Sequence, residues 1–137
     1  MRLALALGPA LVLAAASGPI ASSSRGSPCI RYETDTVSLT GRLRRETYPG
    51  PPNYESIQDN DEPEVGFYLR LPHSICTQGD SGEGYPAIAA LQLVLDSAGY
   101  ARLRSSVGGT ATVRGTLFPA ETGHHHTKVL MQVIWDR

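Results

Sequence analysis

Five short stretches in which apolar and polar residues alternate constrain this chain more than anything else in it. The first is Val37 to Leu43, with Val37, Leu39 and Leu43 on one face. The second is Val65 to Leu71, with Val65, Phe67, Leu69 and Leu71 together, and the third is Ile88 to Leu95, with Leu91, Leu93 and Leu95. The fourth, Thr110 to Leu117, aligns Ala111, Val113 and Leu117; the fifth, Val129 to Trp135, aligns Val129, Met131, Val133 and Trp135. Period-two alternation rich in β-branched residues predicts half-buried strands.

Between the third and fourth strands the period changes. Asp96 to Arg104 reads as a short helix, capped by Asp96 or Ser97 and ended at Val107-Gly108-Gly109. Its expected apolar face is Ala98, Tyr100, Ala101 and Leu103. Three strands, one helix and two strands is the order of an OB-like barrel, a five-stranded Greek-key fold. The fold class is therefore all-β with one short helix between strands 3 and 4; another small barrel or a sandwich with one helix is the alternative. Gly41 supports the barrel, because the first strand must bend there to serve both sides.

The ends and the cysteines place the domain. Met1-Arg2 followed by apolar Leu3 to Ala16 reads as a signal peptide over residues 1–16, cut after Ala16 or, second, after Ala21. The run is short of the roughly 20 residues that span a bilayer. Residues 17–28, rich in Ser, Gly and Pro, read as a disordered lead-in, and residues 29–137 as a single domain. An exported, periplasmic or secreted protein meets an oxidising compartment, where Cys29 and Cys76 most simply pair. Such a bridge closes a loop of roughly 48 residues and contributes about 4 kcal/mol in the chain-entropy model. The OB order permits it, since Cys29 precedes strand 1 and Cys76 follows strand 2 at the same barrel end. Twelve basic against 13 acidic residues give a net charge of −1, which argues against a nucleic-acid partner.

Two spacers stand out. Arg45 to Pro63 joins strands 1 and 2 and contains Pro49-Gly50-Pro51-Pro52-Asn53-Tyr54-Glu55-Ser56-Ile57. The spacer between strands 4 and 5 contains Glu121-Thr122-Gly123-His124-His125-His126-Thr127. Together with Leu91 to Leu95 and Gly115 to Ala120, these blocks resemble an uncharacterised family of bacterial exported domains, over nearly the whole mature chain. The resemblance implies no assigned activity, so no catalytic residue is carried over from it.

In an OB-like barrel these two loops flank the usual ligand face. The expected binding residues are Tyr48 and Tyr54 from the first loop and His124, His125 and His126 from the second. An extended backbone projects His124 and His126 to one side and His125 to the other. The plainest reading is that the imidazoles tie the loops together, through Tyr48, Tyr54 or backbone carbonyls. A pH-sensing role and a metal site are the alternatives. For zinc or copper the ligands are His124, His126 and Glu121, with Asp61, Glu62 or Glu64 able to arrive from the other loop. His73 belongs at the opposite end of the barrel. No other cofactor is expected, and the partner is a protein or a small envelope component. Tyr68, Arg70, Arg42 and Arg44 are expected on a solvated outer face. Gly79-Asp80-Ser81-Gly82 mimics a protease nucleophile segment, but no base and acid accompany it, so it reads as a flexible loop.

Overall fold

The computed structural model describes residues 28–135. The expected signal peptide and almost all of the lead-in lie outside the described residues. Within them the chain forms β1 (Ile30–Arg31), β2 (Thr36–Pro49), β3 (Pro63–Gln78), β4 (Gly84–Val94), α1 (Ser97–Leu103), β5 (Thr110–Pro119) and β6 (Val129–Val133). β2 pairs antiparallel with β3 and with β5, β3 with β4, and β5 with β6. β4 and β6 run parallel, which closes a five-stranded OB-like barrel. The helix sits between its third and fourth strands, as the sequence order requires. β1, too short to show as a pattern, adds a parallel pairing at the end of β3.

The inward residues of each strand build one core. Leu43, Leu69, Leu91, Leu93, Val113, Leu117, Val129 and Met131 are all within 2 % of full burial. Each buried side chain of that size contributes about 1.5–3 kcal/mol relative to exposure. At the barrel end near β1, Tyr32 Oη and Thr77 Oγ1 share a buried hydrogen bond of 2.9 Å. The Cys29–Cys76 disulfide forms there, with Cα atoms 4.6 Å apart.

Gly41 marks the point where β2 changes partner. Residues Thr36 to Arg42 pair with β5, and Arg42 to Pro49 pair with β3. A Cβ on Gly41 would lie 2.4 Å from the Arg70 carbonyl oxygen, so the crossing admits no side chain. Beyond Arg45 and Phe67, where β3 parts from β4, the β2–β3 pair runs on as a two-stranded ribbon, with Thr47 opposite Val65.

Three expectations change here. The first strand continues to Pro49, because the ribbon pairs on without needing an alternating apolar face. The first loop accordingly shrinks to residues 50–62. The helix keeps its Asp96 cap, whose carboxylate accepts the Gly99 N–H at 2.7 Å. Its contact face is narrower than expected: Leu103 is buried and Tyr100 packs edge-on to Phe67 at 4.9 Å, but Ala98 and Ala101 are exposed. Two turns laid across a barrel mouth touch it along one edge only. Among the described residues no helix is long and apolar enough to cross a membrane.

Candidate functional site: a carboxylate clamp between two loops

The alternation of the ribbon decides what each of its faces holds. Glu64, Gly66, Tyr68 and Arg70 point outward from β3, and Arg44, Glu46 and Tyr48 outward from β2. The loop from Ala120 to Lys128 folds down over this outer face. Tyr68, expected in solvent, is therefore only 1 % exposed. Its ring lies 5.2 Å from that of Tyr48, and Tyr48 stacks flat on His126 at 4.8 Å with 7° between the planes. Alternation had shown Tyr68's side of the strand correctly. It could not show that the chain would cover that side.

Glu64 is the centre of the arrangement. One carboxylate oxygen pairs with His124 Nδ1, and the other with His126 Nε2 at 2.8 Å. His124 Nε2 in turn meets Tyr54 Oη at 3.1 Å. One proton assignment satisfies every atom in the chain: Tyr54 donates to His124 Nε2, and both imidazoles donate to Glu64. Burial pushes the Glu64 carboxyl up, but the bonds from His126 and His124 outweigh it and hold it below its ordinary value. Beside it, Tyr48 donates to Glu46 at 2.7 Å, and Arg70 grips the same carboxylate through two nitrogens. Arg70, expected on a solvated outer face, is thus paired with a neighbouring carboxylate.

Each histidine has its own task. His124 is exposed, with 58 % of its side chain accessible, whereas His126 keeps 10 %. His125 turns the other way, packs against Phe118 at 5.7 Å, and accepts the Glu121 N–H at 2.8 Å on Nδ1. The expected split of His124 and His126 from His125 is what the structure places, although a turn at Thr122–His125 produces it and not an extended strand. Gly123 belongs to that turn. A Cβ there would reach within 2.9 Å of the Tyr54 ring, so glycine lets the tyrosine approach.

Gln92 of β4 holds the loop to the barrel. Its side-chain nitrogen donates to the His124 carbonyl at 2.9 Å, and its oxygen accepts the His126 N–H at 2.6 Å. Thr127 Oγ1 accepts the Gln92 N–H and donates to the Val129 carbonyl. These contacts copy a strand pairing with side chains. Gln92 was legible only as a polar interruption between Leu91 and Leu93.

The proline loop has its own organiser. Asp61, 3 % exposed, accepts from the backbone of Asn53, Glu55 and Ser56 at 2.9, 2.7 and 2.9 Å, and from Asn53 Nδ2 at 3.2 Å. The N–H groups of Ser56 and Glu55 hold its carboxyl below the ordinary value, against the burial that raises it. Tyr54 sits in the left-handed region at φ 61°, a conformation a tyrosine adopts only when its surroundings fix it.

Of the residues expected to bind, Tyr48, Tyr54, His124 and His126 come together, and His125 supports the loop from within. Glu121 does not join them; it lines a separate hollow with Glu33, Asp80 and Glu83, and Glu64 occupies the place it was given. His73 lies about nine residues along β3 from Glu64, roughly 30 Å at strand rise. Among the described residues no group of three or more His, Cys, Asp or Glu side chains is spaced to hold a metal ion. Asp80 and Ser81 are exposed residues of the β3–β4 turn.

No curated protein and no solved structure matches the chain. Residues 90–134, which run from β4 through α1, β5 and the histidine loop to β6, are similar to the family described as a domain of unknown function (DUF4431), in keeping with the expected resemblance to a domain without assigned activity.

Proposed function

We propose that this chain is an exported interaction domain whose ligand surface is the joint edge of the proline and histidine loops. The observation that carries the reading is the Glu64 clamp. It fastens the histidine loop to β3, and the Tyr54–His124 contact joins the proline loop to it as one platform, yet His124, part of Tyr54 and Ile57 (42 % exposed) stay available to a partner. A platform ordered before binding loses less entropy when it binds. Aromatic anchors at its centre suit a protein or a small envelope component. Export is supported by the apolar Leu3 to Ala16 segment and by the disulfide, which suits an oxidising compartment.

The test is retention of solubilised envelope material on the immobilised mature domain, with Tyr54→Ala and His124→Ala beside the wild type. The expected result is a species held by the wild type and lost from both variants while their circular dichroism is unchanged. A species held equally by all three would overturn the reading. So would near-stoichiometric zinc or copper that disappears in the His124→Ala/His126→Ala double variant, which would make the histidines a metal site.

A further inference from the structure

The inner face of the same ribbon carries a second, unrelated feature. Arg45, Val65 and Phe67 share the inward parity of Leu43 and Leu69; Phe67 is the last of them in the core, and past it Val65 and Arg45 are exposed. Helix α1 reaches only as far as Phe67, through Tyr100. What remains is a cleft of about 470 Å³ lined by Arg45, Val65, Phe67, Tyr100, Arg104 and Val107. Val65 is 43 % exposed and Val107 36 %.

Three properties of this cleft point to one kind of occupant. Its size falls in the range of about 300–1,000 Å³ typical of small-molecule sites. Its floor is two valines and two aromatic rings. Both of its charged residues are arginines, no acidic residue lines it, and neither guanidinium makes an ion pair among the described residues. This local positive charge stands on a chain whose net charge is −1. A guanidinium fork binds a carboxylate through two parallel bonds, and the apolar floor takes a hydrocarbon body. We infer that the cleft binds a medium-chain alkyl carboxylate, its head between Arg45 and Arg104 and its tail along Val65, Phe67, Tyr100 and Val107. The inference is independent of the loop platform, which lies on the opposite face of the ribbon.

The test is titration of the isotope-labelled domain with decanoate below its micelle concentration, read by amide shifts and by calorimetry. Expected are one site per chain, shifts centred on Phe67, Tyr100 and Val107, and at least a tenfold weaker affinity in the Arg45→Gln/Arg104→Gln double variant. Acetate, which lacks the tail, and decyltrimethylammonium, which reverses the head charge, should bind at least tenfold more weakly than decanoate. Both arginines are exposed, so the variant keeps its fold, and circular dichroism verifies this. Equal binding of decanoate and decyltrimethylammonium, affinity indifferent to the double variant, or shifts centred elsewhere would each overturn the inference. So would a failure to bind accompanied by a dimer that Val65→Asp dissociates, which would make the cleft an interface between copies.

Discussion

The two faces of the β2–β3 ribbon are built from alternate residues of the same two strands, yet they end in opposite states. The outer face is closed by the chain's own histidine loop, with Glu64 paired to His124 and His126 and Glu46 paired to Arg70. The inner face is closed only as far as Phe67; past it the face is left open, apolar at its floor and positively charged at its rim. The difference lies in what each face has to offer. Glu64, Glu46 and Arg70 supply directional partners that a loop carrying His124 and His126 can meet at hydrogen-bond distance. Val65 and Phe67 supply only area, and α1 is two turns long and covers one ring of it. The contrast teaches that self-recognition here is specified by polar pairing, and that apolar surface without such pairing stays available to others.

Substitutions can break or sharpen this contrast. The largest effect is expected where the ribbon begins: Gly41→Val drives two methyl groups into the Arg70 carbonyl and should cost about 3 kcal/mol, read by urea unfolding. A loss under 1 kcal/mol would mean that the crossing relaxes freely. Next comes the clamp. Glu64→Ala removes two imidazole bonds and leaves His126 Nε2 without its partner, at a cost of about 2 kcal/mol and a melting temperature lower by roughly 10 °C.

That clamp also has a pH signature. The folded-state value of Glu64 is depressed from 4.5, so its stabilising contribution is present above that ordinary value and is lost as pH falls through the lower folded one. Asp61 is depressed in the same sense from 3.8 and adds to the loss in acid. The stability gap between the wild type and Glu64→Gln should therefore be widest near neutrality and shrink steadily below about pH 4, as thermal melts across pH would show. A gap that grows in acid would contradict the assignment of Glu64 as the ionised centre.

Smaller effects separate the faces further. Tyr68 Oη is buried and has no hydrogen-bond partner among the described residues. Tyr68→Phe should accordingly be neutral or stabilise the domain by up to about 1 kcal/mol in urea titration, while the rings above it stay stacked. On the inner face, Val65→Thr should change stability by no more than about 0.5 kcal/mol. A penalty above 1 kcal/mol there would show that the inner face is covered after all.

The barrel was legible because its determinants are local. Alternation placed Leu43, Leu69, Leu91, Val113 and Met131 inward, Asp96 capped the helix, and Gly41 announced the bend. The pairing of His124 and His126 on one side was legible for the same reason. What escaped was coverage, which is a tertiary property. Nothing near Tyr68 in the sequence says that a loop more than fifty residues later will lie on it. Leu130 makes the same point on β6: it is fully buried although it points away from Met131. Gln92 and Asp61 were hidden differently. Their side chains satisfy backbone groups, and a polar residue that serves the backbone looks in sequence like one that serves the solvent. Glu121 was preferred to Glu64 on closeness in the chain, where closeness across the sheet decided.

The pairing order has a bearing on the stretch from residue 90 to residue 134. β5 finds its second neighbour in β2, and β6 closes the wall against the last residues of β4, whose other neighbour is β3. Cut away from residues 30–89, that stretch would be a hairpin with a helix and a remnant of β4, two raw edges and half a wall. It would also lose Glu64, on which its histidines close. The matched segment is therefore one half of a cooperative unit, and a fragment limited to it would not be expected to stand alone.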